Sequence, residues 1–179
     1  TGTNNISLSN SGGAITTLNI SGAGTTTVWG TTATTITTLN ASAATGAVTI
    51  DLSASAGANQ TVTGGSGNDT LTVDLAQNIT LDAGAGNDVV VLANPTAANL
   101  SSTTGAADSI KGGEGTDTLS VTAAGAAALA GDTAADRAVI SGFEQLRTSS
   151  DLNGQSFSIA ALGMNYLQID AATTTAAAT

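Results

Sequence analysis

GGSGNDTL, Gly64 to Leu71, places three glycines in four positions ahead of Asn68 and Asp69, then passes into a β-favouring tail. Glycine takes positive φ without steric cost, so such a run can turn tightly with its carbonyls facing one point. An aspartate two residues after the last glycine can send its carboxylate to the same point. The stretch recurs. TGGSGNDTLTV (63–73), DAGAGNDVVVL (82–92) and KGGEGTDTLSV (111–121) align without gaps. In each, a glycine (Gly67, Gly86, Gly115) is followed two positions later by an aspartate (Asp69, Asp88, Asp117) and then by branched residues. Asp69 and Asp88 are 19 residues apart, Asp88 and Asp117 29.

Other repeats have a similar period. ITTLN occurs at 15–19 and again at 36–40, and Leu146 in FEQLRT and Leu167 in NYLQID are also 21 apart. Short strand-like runs (TTTVW, AVTIDL, LTVDL, DVVVL, TLSV, SFSIA) stand between clusters of Gly, Asn, Ser and Asp. Steps near 20 residues with two short strands per step describe the coils of a β-solenoid. One coil cannot bury its apolar face alone; stacked coils bury a narrow core of Val, Ile, Leu and Ala and leave Thr and Ser outward. The expected fold is therefore all-β, a parallel β-solenoid, right-handed by the general preference of parallel crossovers. It carries one loop insertion, ANPTAANLSSTTGAAD (93–108), which holds Pro95, and a short Ala-rich helical segment within AAGAAALAGDTAADRAV (123–139), where Asp132 or Thr133 can cap the second half. The whole of 1–179 reads as one domain: degenerate coils over 1–62, glycine-rich coils over 63–121 and C-terminal coils over 122–179, a segment expected to come from a longer chain.

Composition agrees with a thin interior. Hydrophobic residues are 41% of the 179 but aromatics only 2%, so the core is filled by small and branched side chains. The four rings, Trp29, Phe143, Phe157 and Tyr166, suit coil-end packing. Thirteen acidic residues against three basic ones, Lys111, Arg137 and Arg147, leave a net charge of -10. That excludes the basic footprint of a nucleic-acid partner and a polybasic membrane anchor, and no apolar run is long enough for membrane insertion. Thr-rich ladders that order water need a uniform array, whereas TTTVWGTTATTITT (25–38) shifts in phase.

The chain has no cysteine and no histidine. Soft and imidazole metal ligands are thus absent, and so is the base of a Ser-His pair. No catalytic residues are expected, and the chain reads as not an enzyme. Oxygen remains: carboxylates and carbonyls, the donor set of Ca²⁺, which takes six to eight oxygens. One glycine-rich turn supplies part of such a shell. A turn one coil away supplies the rest, so Asp69 and Asp88 are expected to sit one above the other with the cation joining their turns. Asp51 and Asp74 follow strands on the alternate edge and read as turn residues; Glu144 with Arg147 reads as a surface pair.

The segments GGSGNDTLT (64–72), AGAGNDVVV (83–91) and GGEGTDTLS (112–120) resemble the calcium-binding nonapeptides of the RTX (repeats-in-toxin) family, G-G-x-G-x-D-x-U-x with U apolar. The remaining coils resemble the degenerate solenoids of RTX-type bacterial surface-layer proteins and large adhesins. The resemblance implies a parallel β-roll with Ca²⁺ between stacked turns, type I secretion and folding outside the cell. By position it makes Asp69, Asp88 and Asp117 carboxylate ligands, with carbonyls from Gly64, Ser66 and Gly67, from Ala83, Ala85 and Gly86, and from Gly112, Glu114 and Gly115. Asn68, Asn87 and Thr116 fall at variable positions that face water or support the turn. The alternate turns (VDLAQN, IDLSASAG, VTAAG) lack the motif, so a single row of sites on one edge is expected. Asp69/Asp88 is the expected main site. The insertion is expected to set Asp117 out of direct contact with Asp88, and the neighbouring Lys111 to weaken the local field, unless another acid such as Asp108 helps.

The expected role is structural: a calcium-dependent segment of a secreted protein at the bacterial cell surface, most naturally a surface-layer subunit. It would self-associate into a lattice or filament, with contact to cell-surface polysaccharide through other parts of the chain. The alternatives are a repeat segment of an adhesin or biofilm-matrix protein, and the accessory domain of a secreted hydrolase.

Overall fold

The computed structural model describes residues 2–7, 15–29, 36–54, 59–76, 78–93, 108–131, 133–150, 152 and 156–170. Fourteen strands run through these residues: β1 (Thr3–Ser7), β2 (Thr17–Gly22), β3 (Thr25–Trp29), β4 (Thr38–Ala44), β5 (Val48–Asp51), β6 (Gln60–Thr63), β7 (Thr70–Asp74), β8 (Ile79–Asp82), β9 (Val89–Ala93), β10 (Ser109–Lys111), β11 (Thr118–Val121), β12 (Ile140–Ser141), β13 (Gln145–Thr148) and β14 (Tyr166–Ile169). From β1 to β13 they alternate between two parallel sheets, and β14 pairs directly with β13. One has the order β1-β3-β5-β7-β9-β11-β13-β14, the other β12-β10-β8-β6-β4-β2. From β2 to β13 each coil contributes a strand to each sheet, while β1 and β14 extend only the larger one; the chain is a parallel β-solenoid of about six turns.

The register explains why such short, aromatic-poor strands hold. Ile6, Val28, Ile50, Leu71, Val90, Leu119, Leu146 and Leu167 form one unbroken column across the larger sheet. Leu18, Leu39, Val62, Leu81, Ile110 and Ile140 form its counterpart across the smaller one. Side chains alternate faces along a strand, so each column faces inward, with only the end rungs Ile6, Leu18 and Leu167 partly buried. Leu39, Leu71, Val90, Ile110, Leu119 and Leu146 are fully buried, each worth about 1.5–3 kcal/mol relative to exposure. The steps of 21 seen in the sequence are the coil repeat itself: Leu18 pairs with Leu39 and Leu146 with Leu167.

One edge of the solenoid carries the longer connections. Between β11 and β12 the Ala-rich segment forms a helix, Ala123–Gly131, that buries Ala123, Gly125, Ala126 and Leu129. Thr122 starts it, its Oγ1 accepting from Gly125 N at 3.0 Å. A second short helix, Ala134–Arg137, follows Thr133; Asp132, the other cap candidate, lies outside the described residues. Most of the 93–108 insertion, 94–107, also lies outside them. The coil around it closes in phase regardless, with β8 paired to β10 and β9 to β11. One expected strand is absent: SFSIA leads instead into a 3₁₀ turn, Ile159–Leu162, and the strand follows at Tyr166–Ile169. Ser158 stops the extended run by capping that turn, its side chain accepting from Ala161 N at 3.4 Å.

Candidate metal centre

The three glycine-rich stretches become the turns 64–69, 83–88 and 112–117, and all three lead from the smaller sheet to the larger. They therefore stack on one edge, opposite the helices. Ala85 N donates to Gly65 O at 2.9 Å, and Glu114 N to Gly84 O at 2.8 Å. Gly86 and Gly115 are among the glycines that this stacking requires. Gly86 has φ +125°, and an added Cβ would stand 2.5 Å from Gly67 O; Gly115 has φ +134°, and its Cβ would overlap Gly86 O.

Asp69, Asp88 and Asp117 stand one residue ahead of β7, β9 and β11 and point inward. They continue a column that begins with Asn4, Thr26 and Val48. At most 1% of each is exposed, which places three carboxyl groups in the wall of an apolar core. Each reaches back one coil. Val48 N donates to Asp69 Oδ1 at 2.8 Å, Asp69 N to Asp88 Oδ1 at 2.7 Å, and Asp88 N to Asp117 Oδ1 at 2.8 Å. Asn68 and Asn87 form a second ladder of opposite sense at the exposed surface. Asn87 N donates to Asn68 Oδ1 and Thr116 N to Asn87 Oδ1, both at 2.9 Å.

The second carboxylate oxygens differ. Asp69 Oδ2 accepts from Gly65 N at 2.8 Å. Asp88 Oδ2 and Asp117 Oδ2 are buried without a hydrogen-bond partner. In the second turn the corresponding amide, Gly84 N, donates to Asp82 Oδ1 at 3.2 Å instead. Burial, the largest cause, pushes all three carboxyl groups above the usual carboxylate range; the charges of Asp69 and Asp117 add to this for Asp88, which is raised to about 7, and the charge of Glu144 adds to it for Asp117. Backbone N–H donors oppose the shift in each case. Buried, mutually repelling anions with unsatisfied oxygens are costly unless a cation compensates them.

This donor set fits a hard divalent cation. The orphaned oxygens are carboxylate, the surrounding groups are backbone carbonyls, and the chain has neither histidine nor cysteine. Among the described residues no three acidic side chains share one metal-sized cluster, so carbonyls must make up most of the shell. The carbonyls of Gly67, Ala83 and Gly86 approach the α-carbons of Gly86, Gly64 and Gly115 across adjacent turns, while Glu114 O already accepts from Gly86 N at 2.9 Å. Gly64, Ser66, Ala85, Gly112 and Gly115 belong to the same three stacked turns.

Several expectations need correction. Asp117 is not set apart: despite the 29-residue step it stacks directly on Asp88. The insertion lengthens only the opposite edge, so the glycine-rich edge keeps its one-coil spacing. Asp108 cannot assist Asp117, because it precedes β10 on that opposite edge and accepts there from Ile79 N at 2.7 Å. Lys111 is exposed, in an outward column with Asp82 and Ser141. Asp51 and Asp74 are turn residues as expected, accepting from Ser53 N and Ala76 N, each at 2.9 Å. Glu144 does not form the expected pair with Arg147. Arg147 Nε lies 3.5 Å from Asp170 Oδ2 and donates to Ser120 Oγ at 3.3 Å. Glu144 instead continues the acid ladder, its Oε2 accepting from Asp117 N at 2.8 Å. A signal for it exists in the sequence: GFEQL (142–146) repeats the spacing of GNDTL (67–71) with Glu in place of Asp.

A family model described as the RTX calcium-binding nonapeptide repeat matches in four copies, over residues 52–75, 80–93 and 98–122. No curated protein and no solved structure matches the chain.

Proposed function

We propose that this chain, which belongs to the RTX calcium-binding repeat family through its central coils, is a calcium-stabilised building segment of a secreted bacterial surface-layer protein. These repeats are calcium-binding, and they form a structural solenoid. The observation that carries the calcium dependence is the inward acid column. Asp69, Asp88 and Asp117 each hold a backbone N–H of the preceding coil, so the groups that would ligate the ion are also the groups that join coil to coil. Bound calcium would supply positive charge to this edge and would take its ligands from the oxygens there. Asp88 and Asp117 would present their orphaned Oδ2 atoms to it, and the stacked carbonyls of 64–67, 83–86 and 112–115 would complete the shells.

The fold's dependence on the ion follows from linkage. The extended chain holds these oxygens far apart, so a ligand that needs several at once favours the folded coils. Where calcium is scarce, the buried acids oppose closure and keep the chain transportable; outside the cell the balance reverses. Among the described residues no helix is long and apolar enough to cross a membrane. We assign a structural rather than a catalytic role because the buried carboxylates are engaged in holding the backbone. Self-association into a lattice extends the same reading, with calcium strengthening the coils that form it. Electron microscopy of the assembled protein with and without a chelator tests it. A sheet with crystalline order that dissolves in chelator is the expected result; isolated fibres, or no assembly, would overturn the surface-layer assignment in favour of an adhesin or matrix segment.

A further inference from the structure

The acid ladder does not stop where the glycine-rich repeats stop. β12 and β13 are joined by only three residues, Gly142–Phe143–Glu144, where the preceding coil uses six, 112–117. This shorter turn still sits in register: Ile110 pairs with Ile140 and Thr118 with Gln145. Glu144 thereby falls in the column of Asp69, Asp88 and Asp117, and its longer side chain reaches Asp117 N at 2.8 Å.

Two oxygens converge beside this turn. An added Cβ at Gly112 would overlap Gly142 O and would stand 2.8 Å from Asp117 Oδ2. Gly142 O, from the following coil, thus takes the place that a side chain at residue 112 would occupy, and Asp117 Oδ2 lies beside that same position. Asp117 Oδ2 is buried and has no partner, in a residue with 0% of its surface exposed. Gly142 has φ +71°, and an added Cβ there would approach Gly113 N to 3.1 Å, so this turn too is built around a glycine. Phe143, buried at 5% exposure, anchors it to the core.

We propose that the turn Gly142–Glu144, which lies outside the matched repeats, closes a further calcium site with Asp117. The site uses the Glu144 carboxylate, Gly142 O and Asp117 Oδ2. The row of ions then runs one coil beyond the last glycine-rich repeat and ties the repeats to the C-terminal coils. This rests on the calcium reading above and adds to it a residue and a turn that the repeat pattern does not contain. An all-oxygen set with two carboxylates suits Ca²⁺ rather than a softer metal.

The test is a calorimetric calcium titration of the full chain as wild type and as Glu144→Gln, with bound ions counted by native mass spectrometry. The amide that replaces the carboxylate preserves an oxygen for Asp117 N and removes only the charge. The expected result is one fewer bound ion, or one class of site weakened by about tenfold or more, with the other sites unchanged. Equal stoichiometry and affinities in the two proteins would overturn the site while leaving the central calcium sites intact. Failure of the wild type to bind any calcium would instead overturn the reading on which it rests. Should the variant not fold, hydrogen exchange of the wild-type peptide covering 140–146 decides the matter. Calcium-dependent protection there supports the site, and unchanged exchange rejects it.

Discussion

The backbone N–H of Asp88 donates to Oδ1 of Asp117 at 2.8 Å across 29 residues of sequence, the same bond that Asp69 N makes to Asp88 Oδ1 at 2.7 Å across 19. The hydrogen bond needs an oxygen at Oδ1; it does not need the negative charge. Charge and bond can therefore be separated by Asp88→Asn. Without calcium the variant retains an acceptor for Asp69 N and loses a buried, repelled anion, so it should be more stable than wild type at pH 8 by on the order of 2 kcal/mol. In millimolar calcium the order should invert, because the variant has lost a ligand. Urea unfolding followed by circular dichroism in both conditions checks this. A variant less stable than wild type in chelator would mean that the column is not under electrostatic strain.

The same strain fixes the pH response. Asp88 ionises at about 7 in the folded protein against 3.8 for an ordinary aspartate, chiefly because it is buried. Between those values the folded state holds a proton that the unfolded state has released, so stability falls as pH rises through that window. The shifts of Asp69, Asp108 and Asp117 have the same direction. The calcium-free protein should melt at a higher temperature at pH 5 than at pH 8. Calcium binding, which requires the anion, should weaken as pH drops below about 7. Melting curves in chelator and titrations at pH 6 and 7.5 give both readings. A chelated protein that gains stability on going from pH 5 to pH 8 contradicts the assignment.

The period of the chain was legible because each coil repeats a local chemistry. Leu18 and Leu39, or Leu146 and Leu167, announce their pairing by identical spacing. The acids Asp69, Asp88 and Asp117 were legible for the same reason. Their orientation was not. Nothing in G-x-D-x-U says that the carboxylate turns inward and takes the preceding coil's N–H, since that bond exists only once two coils have stacked. Glu144 was obscured by a turn three residues shorter than its neighbours, which breaks the alignment of GFEQL with the glycine-rich copies although the strand register survives. Asp108 was misplaced because proximity to the third repeat in sequence does not separate the two edges of a coil. The SFSIA run has the alternation of a strand, but Ser158 caps a 3₁₀ turn instead.

The inward columns predict a sharp contrast within one strand. Leu71 is fully buried, whereas Thr72 beside it faces outward and is half-buried. Leu71→Ala removes a rung from a column with neighbours above and below, Ile50 and Val90, and these cannot collapse into the gap without breaking their own register. The expected loss is about 2–5 kcal/mol. Thr72→Ala should change stability by about 0.5 kcal/mol or less. Chemical unfolding in calcium buffer compares the two, and similar losses would show that the column is not the unit of packing.

Calcium removal should affect the fold itself. A ligand that binds the folded state alone stabilises it by about 2.7 kcal/mol per site at a hundred times its dissociation constant, and the proposed row has more than one site. The melting temperature should therefore climb steadily with calcium concentration, and β-type circular dichroism should weaken in excess chelator. Magnesium at the same concentration should substitute poorly. It demands a compact octahedral shell and gives up water reluctantly, whereas the oxygens here are spread over stacked backbone turns whose spacing the sheets fix at about 4.8 Å. A melting temperature indifferent to calcium, or raised equally by magnesium, would show that hydrogen bonds alone hold the acid column closed.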